Sequence, residues 1–284
     1  MTAPAPVSEQ RTLRVLSRRV RWKLHWALRP NELFVVREWW GGMTLVLPRS
    51  GSAATAFYRT FPSEAIAQWM SRVLRSGMTV VDVGAHVGVY SLLAARLVGP
   101  DGVVHAVEPQ QDCVSLTERN AALNGLTQLK AHTLALGEED RPVGLLVDPR
   151  SLGGRTVSAD ESEGPVVAGA TLDRFTREEQ LGPIDLLKLD AAGNEVGVLR
   201  GARSLLEEGR IAHVICKLYH PDVTSERFGA DVGAAAAVDL LNRCGYRVEL
   251  PDGRPADEKA LDAAFAAHCY SVPALARRQP EHAS

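Results

Sequence analysis

Apolar and polar residues follow one another in a pattern that predicts strands and helices in turn, most clearly over residues 79–107. The segment begins with the β-branched run Thr79–Val83, which is typical of a buried parallel strand. A glycine-containing turn at residues 84–88 then opens an apolar helix, Val89–Val98, and a second apolar strand follows at residues 103–107. This order of elements predicts a βαβ unit of the kind that binds nucleotides.

Further apolar runs extend this unit to a doubly wound, mostly parallel α/β sheet. Additional strands are predicted at residues 129–136, 184–189, 211–218, 246–250 and 268–272. Additional helices are predicted at residues 63–77, 113–123, 172–181, 195–208 and 232–244. Apolar fragments at 143–147 and 166–170 predict an inserted hairpin, and the polar segment 151–164 predicts a mobile connection that covers substrate.

The N-terminal part of the chain has a different pattern. Residues 11–29 carry seven Lys or Arg and no acid, with apolar residues between them, and predict a basic amphipathic helix that ends before Pro30. Residues 33–39 and 43–47 flank two glycines and predict a β-hairpin. We favour a helix packed on the protein with a solvated basic face. Docking on an acidic carrier protein, a phosphorylated substrate or a membrane surface is the alternative.

These patterns predict an extension at residues 1–62 with the basic helix and hairpin, a main domain at 63–275, and a frayed tail at 276–284. A length of 284 residues, 45% hydrophobic residues and a net charge of −2 suit such a protein. The chain has no apolar run of roughly 18 residues and no signal-peptide core, which predicts a cytoplasmic protein without a membrane span. The cysteines agree, because they form no C-x-x-C pair and are interpreted as reduced core thiols: Cys113, Cys216, Cys244 and Cys269.

The turn at residues 84–88 limits the choice of ligand. A dinucleotide fingerprint that began at Gly84 would need glycine at positions 86 and 89, where this chain has His86 and Val89. NAD and FAD are therefore not expected. We expect His86 to adopt a left-handed conformation, and we favour a turn residue without a chemical role.

Asp82, Gly84 and Gly88, with Glu108 twenty residues after Gly88, resemble the first motif of S-adenosylmethionine-dependent methyltransferases. The resemblance implies that this turn binds S-adenosylmethionine, with His86 among the contacting residues. It places Asp82 near the cofactor's ammonium, backbone N–H groups near its carboxylate, and Glu108 against the ribose hydroxyls.

Residues after the third strand line the adenine pocket in such enzymes. By position these are Ala135, Leu136 and Gly137, for which plain strand-end packing is the alternative interpretation.

Several longer segments resemble the FkbM-type family of these methyltransferases. They are DVGAHVGVYSLLAARLVGPDGVVHAVEP at 82–109, NAALNG at 120–125, IDLLKLDAAGNEVGVLRGA at 184–202, VICKLYHPDV at 214–223 and GYRVEL at 245–250. The resemblance implies a Rossmann-like, class I methyltransferase sheet. It also implies methyl transfer to a hydroxyl of a small molecule such as a sugar, a polyketide or another secondary metabolite. A carrier-bound or anionic acceptor and a homo-oligomeric state are left open.

Three positions depart from the family's usual pattern. His86 replaces an asparagine, Ala192 replaces the first glutamate of D-x-E-G-x-E, and Lys217 replaces a glutamate of the fifth strand. The last two changes remove two acids and add one base. We therefore expect no metal in the cleft, and we expect either an anionic substrate or a relative whose chemistry is altered.

Three residues at the carboxyl ends of strands are candidates for catalysis. His220 is the first candidate for the base that takes the hydroxyl proton, and Asp190 is the second. Lys217 would serve only with a lowered pKa. The alternatives are that His220 shapes its loop, that Asp190 caps the next helix, and that Lys217 pairs with Asp190 or Glu195.

The sequence thus predicts an S-adenosylmethionine-dependent O-methyltransferase. One alternative is a member of the same fold that binds the cofactor and catalyses a reaction other than methylation, such as a cyclisation. Another is a non-catalytic binding module. A nucleic-acid partner is not expected, because the basic residues are confined to one terminal helix and a base-flipping motif is absent from the sequence.

Overall fold

A computed structural model describes residues 7–147, 155–158, 164–220, 222, 232–268 and 271–279. The chain divides into two compact units, a smaller one that contains Met1–Pro62 and a larger one composed of Ser63–Val147 and Arg155–Ser284. None of the helices in the described ranges is long and apolar enough to cross a membrane. Cys269, and the predicted mobile connection except for residues 155–158 and 164, lie outside the described residues.

The smaller unit contains two helices and a β-hairpin. Helix α1 (Val7–Leu28) precedes strands β1 (Phe34–Trp39) and β2 (Met43–Leu47), which pair antiparallel, and helix α2 (Gly51–Arg59) follows. The predicted helix before Pro30 and the predicted hairpin are confirmed. Helix α2 was not predicted.

Two tryptophans anchor α1 within this unit. Trp22 and Trp26 are buried, and the ring of Trp22 lies 5.1 Å from that of Phe34 and 6.1 Å from that of Phe57. Arg18 donates a hydrogen bond of 2.8 Å to the carbonyl of Phe57. The helix is therefore packed as we favoured, and its docking to a partner stays a prediction. Four exposed apolar residues lie along its other side: Leu16, Val20, Leu24 and Leu28.

Within the described residues, the larger unit contains twelve strands and eight helices. The strands are β3 (Thr79–Val83), β4 (Val103–Glu108), β5 (Leu129–Thr133), β6 (Ala135–Leu136), β7 (Val143–Val147), β8 (Arg155–Ser158), β9 (Val166–Val167), β10 (Gly169–Ala170), β11 (Ile184–Leu189), β12 (Ile211–Tyr219), β13 (Tyr246–Glu249) and β14 (Ser271–Arg278). The helices are α3 (Glu64–Val73), α4 (Val89–Val98), α5 (Gln111–Leu123), α6 (Leu172–Glu178), α7 (Glu195–Arg200), α8 (Arg203–Glu207), α9 (Ala234–Arg243) and α10 (Glu258–His268).

Seven strands form the central sheet in the order β13-β14-β12-β11-β3-β4-β5. Strands β12, β11, β3, β4 and β5 are parallel, whereas β14 is antiparallel to both of its neighbours. The chain leaves β3 toward β4 and β5 and later returns to β11 on the other side of β3, which makes the carboxyl ends of β3 and β11 the expected ligand site. The predicted doubly wound class I sheet is confirmed.

The two central strands are apolar on both faces, as expected for a sheet covered by helices on both sides. Val80 and Val81 of β3 and Leu186 and Leu187 of β11 have no exposed surface. This rigid core fixes the positions of the loops that follow the strands.

Some predicted boundaries were wrong. The chain up to Arg278 lies in β14, so a frayed tail does not begin at residue 276, and residues 280–284 lie outside the described part. Strand β14 forms because β12 and β13 pair with it on both sides, which its short apolar run does not reveal. Helix α10 was not predicted, and the predicted helix at residues 195–208 is divided into α7 and α8. The inserted hairpin has a third strand, because both β8 and β9 pair with β7.

Candidate active site

The turn at residues 84–88 is held close to the neighbouring strands. Gly84 has a φ of 72°, and a Cβ atom at this position would overlap the backbone carbonyl of Asp190 at the end of β11. Gly88 precedes α4 with a φ of 82°, and a Cβ atom there would lie 2.8 Å from Cγ2 of Thr117. Both glycines are therefore required by the packing of the turn.

His86 lies in the middle of this turn with a φ of 52°, so its predicted left-handed conformation is confirmed. Its backbone N–H donates to Glu108 over 3.0 Å, and its carbonyl accepts the hydroxyl of Thr117 over 3.0 Å. Asn120 of α5 also donates to the carbonyl of Val87. Burial, aided by Lys188, lowers the pKa of His86 to about 4 despite the opposing effect of Asp190, so its ring is neutral at physiological pH.

Glu108, the last residue of β4, directs its carboxylate toward the same turn. The carboxylate accepts the N–H of His86, the N–H of Gln110 over 3.1 Å and the side-chain amide of Gln110 over 3.3 Å. Burial raises the pKa of Glu108, and these hydrogen bonds together with Lys188 reduce the rise without cancelling it. A carboxylate has about four lone-pair sites, so Glu108 retains capacity for another donor.

A cleft opens at this end of the sheet. Its lining residues are Val83, Gly84, Val107, Glu108, Pro109, Leu134, Ala135, Leu136, Asp190, Ala191, Ala192 and Asn194. Four of the predicted cofactor residues, Gly84, Glu108, Ala135 and Leu136, are thus brought together. The cleft has an apolar wall for a planar base and a carboxylate for hydroxyl donors, which fits a nucleoside-type cofactor. Asp82, His86 and Gly88 are not among the described lining residues.

Asp82 is fully buried under the turn and is already paired. One oxygen lies 2.7 Å from the ammonium of Lys188, and the other accepts the hydroxyl of Ser91 over 2.6 Å. The same ammonium donates to the carbonyl of Gly84 over 3.3 Å and lies 5.2 Å from the ring centre of Tyr90. The position of Asp82 near a cofactor ammonium stays a prediction. The partner Lys188 was missed, although a lysine inside the apolar run of β11 is an unusual signal.

Asp190 forms a polar cluster with Lys217 and Tyr219 at the ends of β11 and β12. Its carboxylate lies 3.2 Å from the ammonium of Lys217 and accepts the hydroxyl of Tyr219 over 2.8 Å. Burial alone would raise the pKa of Asp190, but Lys217, Lys188 and Tyr219 outweigh it and hold the pKa below its ordinary value. The pairing of Lys217 with Asp190 was one of our alternatives and is confirmed. Tyr219 was not singled out from the sequence.

Glu195, and not Asp190, holds the loop before α7. One of its oxygens accepts the backbone N–H groups of Ala191 and Gly193 over 2.7 and 3.3 Å. Burial and the nearby charge of Asp190 raise the pKa of Glu195 to about 7, against the effect of these hydrogen bonds. Ala192, at the position where an acid was expected, has a φ of 54° and lines the cleft.

His220 lies just beyond β12 and contacts a different part of the unit. Its Nδ1 accepts the backbone N–H of Asp222 over 3.2 Å, and its ring packs edge-on against Phe265 of α10 at 5.1 Å. It is not among the described residues that line the cleft. These contacts agree with a loop-shaping residue, and the role of His220 as a base stays a prediction.

Comparisons with known proteins were consistent with these features. Residues 82–248, more than half of the chain, match the family model described as Methyltransferase FkbM domain. Methyltransferase 1 of Beauveria bassiana (strain ARSEF 2860) is 29% identical over 203 residues, which cover 63% of this chain and 77% of that protein. Methyltransferase sdnD of Sordaria araneosa is 28% identical over 160 residues, which cover 45% of this chain and 61% of that protein.

Solved structures give a weaker similarity. Methyltransferase FkbM from Methylobacillus flagellatus KT has a TM-score of 0.40 and 15% identity, with 80% of this chain and 54% of that chain covered. A SAM-dependent methyltransferase from Aquifex aeolicus has a TM-score of 0.40 and 15% identity, with 75% of this chain and 88% of that chain covered. The family assignment therefore rests on the sequence match, and the fold rests on the strand order.

Proposed function

Because the chain belongs to the FkbM family of S-adenosylmethionine-dependent methyltransferases, we propose that it methylates a hydroxyl group of a sugar or another secondary metabolite. The observation that carries this proposal is the cleft that Glu108 and Asp190 both line. In this proposal Glu108 holds the nucleoside and Asp190 accepts the proton of the acceptor hydroxyl. The acceptor is a small molecule.

Glu108 is the residue that would hold the ribose hydroxyls, because its carboxylate lines the cleft and keeps acceptor capacity. Ala135 and Leu136 supply the apolar wall for adenine. Backbone N–H groups at the start of α4 suit the carboxylate of the cofactor. Asp82 supports the site from below, because its pairing with Lys188 fixes the carbonyl of Gly84.

The bound cofactor supplies an activated methyl group on a sulfonium. The protein then has to align the acceptor hydroxyl and accept its proton. Asp190 is our first choice for this base, since it lines the cleft and its side chain is 24% exposed. Tyr219 and Lys217 keep its carboxylate oriented and ionised. His220 is the second choice, because a movement of its loop would be needed to bring it to the acceptor.

Lys217 favours an acceptor that bears a carboxylate or a phosphate. Its side chain is 30% exposed beside Asp190, so its three donors are not all used by the ion pair. An anionic group close to the reacting hydroxyl would accept a hydrogen bond from this ammonium, and it would balance the charge of Lys217 once Asp190 has taken the proton. A carrier-bound acceptor with a phosphate linker would fit the same requirement.

A non-methylating or non-catalytic relative is the second candidate. It is favoured by the alanine at position 192, which lines the cleft where the family usually has an acid. If Asp190 is the base, methyl transfer does not require an acid at position 192. We therefore prefer methyl transfer.

The test is an assay of the full-length chain with S-adenosylmethionine and hydroxylated sugars and polyketides, each with and without a carboxylate. We expect formation of S-adenosylhomocysteine and a product with an O-methyl group, identified by mass spectrometry and NMR. Methyl transfer to carbon or nitrogen would refute the proposed acceptor. Cofactor binding without turnover of any acceptor would favour the non-catalytic relative. Conversion of the acceptor to an unmethylated product in the presence of the cofactor would favour the non-methylating enzyme.

A further inference from the structure

Two histidines and a glutamate form a cluster on one face of the central sheet. His105 belongs to β4, His132 belongs to β5, and Glu179 follows the last residue of α6. In the parallel ladder His132 is opposite Val107, two residues after His105. Side chains two residues apart share a face of a strand, so both imidazole rings lie on the same side of the sheet.

The polar atoms of these three residues converge. Nδ1 of His105 lies 2.9 Å from Nε2 of His132 and 3.8 Å from Oε2 of Glu179, and Nδ1 of His132 lies 3.9 Å from Oε1 of Glu179. One ligating atom from each residue lies within 4.8 Å of the other two. Such proximity of two imidazoles and a carboxylate allows all three to reach one ion.

The cluster is rigid on one side and open on the other. The side chain of His105 is not exposed, whereas that of His132 is 19% exposed and that of Glu179 is 31% exposed. Phe175 of α6 packs edge-on against both rings, at 5.7 Å from His105 and 5.1 Å from His132. An ion and its water can therefore enter beside Glu179, while the aromatic contact limits rotation of the rings.

The ring of His105 also has an unsatisfied atom. Its Nε2 is buried and has no hydrogen-bond partner among the described residues. The polar contacts of the ring are therefore made by Nδ1, which lies close to His132 and Glu179.

We propose that His105, His132 and Glu179 bind a divalent transition metal ion, with zinc as the preferred ion. Two imidazoles and one carboxylate are a ligand set that zinc uses when a water completes the tetrahedron. Magnesium and calcium prefer oxygen ligands and would not select two nitrogen donors. The site lies apart from the cleft, so it does not conflict with the expectation that the cleft holds no metal.

The observed distances need only a small adjustment. Zinc bonds of about 2.0–2.1 Å at tetrahedral angles place neighbouring ligand atoms about 3.3 Å apart. The two nitrogens at 2.9 Å have to separate slightly, and the carboxylate oxygen at 3.8 Å has to approach slightly. Partly exposed Glu179 can make this movement without disturbing the sheet.

A ring nitrogen binds a metal ion through its lone pair, so the nitrogen that faces the ion cannot carry a hydrogen. In the bound state the two ring hydrogens lie on Nε2 of His105 and Nδ1 of His132, so that both ligating nitrogens present a lone pair and no proton is lost.

The metal would act on structure and not on the chemical step. None of the three residues is among the described residues that line the cleft, but β4 continues from His105 to Glu108 and β5 leads from His132 to Leu134. A bound ion would link these two strands to α6 next to the apolar wall of the cleft. The proposal does not depend on which molecule is methylated.

The test uses the full-length protein, stripped with a chelator and titrated with zinc alone in competition with a chromophoric chelator. We expect one ion per chain, a higher melting temperature with zinc, and the visible absorption bands of a tetrahedral site when cobalt replaces zinc. Glu179→Gln should weaken binding at least tenfold, and His132→Asn should abolish the cobalt bands.

Two control variants match these substitutions. Glu178→Gln removes the neighbouring exposed carboxylate of α6, and His213→Asn removes a partly buried histidine of the same sheet. Both should bind zinc like the wild type. Absence of binding in the wild type would overturn the proposal, and so would equal affinity in the Glu179 and His132 variants. Circular dichroism and binding of S-adenosylhomocysteine establish that each variant is folded.

Discussion

The ammonium of Lys188 lies 2.7 Å from the carboxylate of Asp82, and both side chains are almost completely shielded from solvent. The two residues face each other across the paired strands β11 and β3. Burial alone would lower the pKa of Lys188, but Asp82 and the neighbouring acids raise it, so the ammonium stays charged. Because Lys188 also binds the carbonyl of Gly84, this pair links the centre of the sheet to the turn of the active site.

We predict that Lys188→Met lowers the free energy of unfolding by about 3–5 kcal/mol, because it leaves Asp82 as an unpaired buried charge. Chemical denaturation measures this change. The double variant Asp82→Asn with Lys188→Met should recover part of the loss. The exposed pair Arg203–Glu207 is the control, and Arg203→Met should cause no measurable change. If Lys188→Met changed the free energy of unfolding as little as Arg203→Met does, the buried pair would not be needed for stability.

Gly84 should tolerate substitution much less than Gly77. Both have a positive φ, but a Cβ atom at Gly84 would overlap Asp190, whereas nothing lies within 4 Å of one at Gly77. Gly77→Ala should therefore cost about 1–2 kcal/mol for the left-handed backbone alone. Gly84→Ala should cost about 2–5 kcal/mol and weaken cofactor binding. Thermal unfolding and calorimetric titration measure the two effects, and equal costs would contradict the close approach of β3 and β11.

Glu108→Gln should weaken binding of S-adenosylhomocysteine roughly ten- to hundredfold, because hydrogen bonds to a charged acceptor contribute about 1.5–3 kcal/mol. Calorimetric titration is the measurement. Glu138→Gln removes a carboxylate that is 53% exposed and serves as the matched control. Unchanged affinity in the Glu108 variant would remove this residue from the cofactor site.

Asp190→Asn should lower turnover by about 10²–10⁴-fold while the affinity for the cofactor is retained. Since neighbouring cations hold the pKa of Asp190 below its ordinary value of 3.8, the wild-type rate should stay constant from neutral pH down to about pH 5. A histidine base would instead lose activity below about pH 6.5. Single-turnover rates as a function of pH distinguish the two, and a larger loss in His220→Ala would assign the base to His220.

Glu195 should make the protein less stable as the pH rises from about 4.5 to about 7. Its pKa is raised from 4.5 to about 7 in the folded chain, so the folded state binds the proton more tightly than the unfolded state over this range. The shift corresponds to about 3 kcal/mol of free energy of unfolding. This stabilisation is present in full below about pH 4.5 and is lost above about pH 7. Denaturation of the wild type and of Glu195→Gln between pH 4 and 8 measures the difference.

The exposed Glu118 provides the control for this pH dependence. Glu118→Gln should follow the wild-type curve at every pH. Parallel curves for the wild type and Glu195→Gln would mean that Glu195 titrates near its ordinary pKa, and that its buried hydrogen bonds compensate fully for desolvation.

The sequence by itself determined the features that are encoded over short distances. Strands β3 and β11, the turn at residues 84–88 and the acid at 108 could be identified because an apolar run, a glycine or the spacing of a motif defines each of them locally. The doubly wound, mostly parallel sheet followed from the alternation of strands and helices. These features were sufficient to identify the family and to predict several residues that line the cleft.

Only the tertiary structure determined which titratable side chains contact one another. Asp82 and Lys188 are separated by 106 residues, Asp190 and Lys217 by 27, and His105 and His132 by 27. Each pair depends on which strands become neighbours, and local apolar periodicity carries no information about that choice. For the same reason the last residues of β14, from residue 276, were mistaken for a tail, since their order comes from the strands on either side.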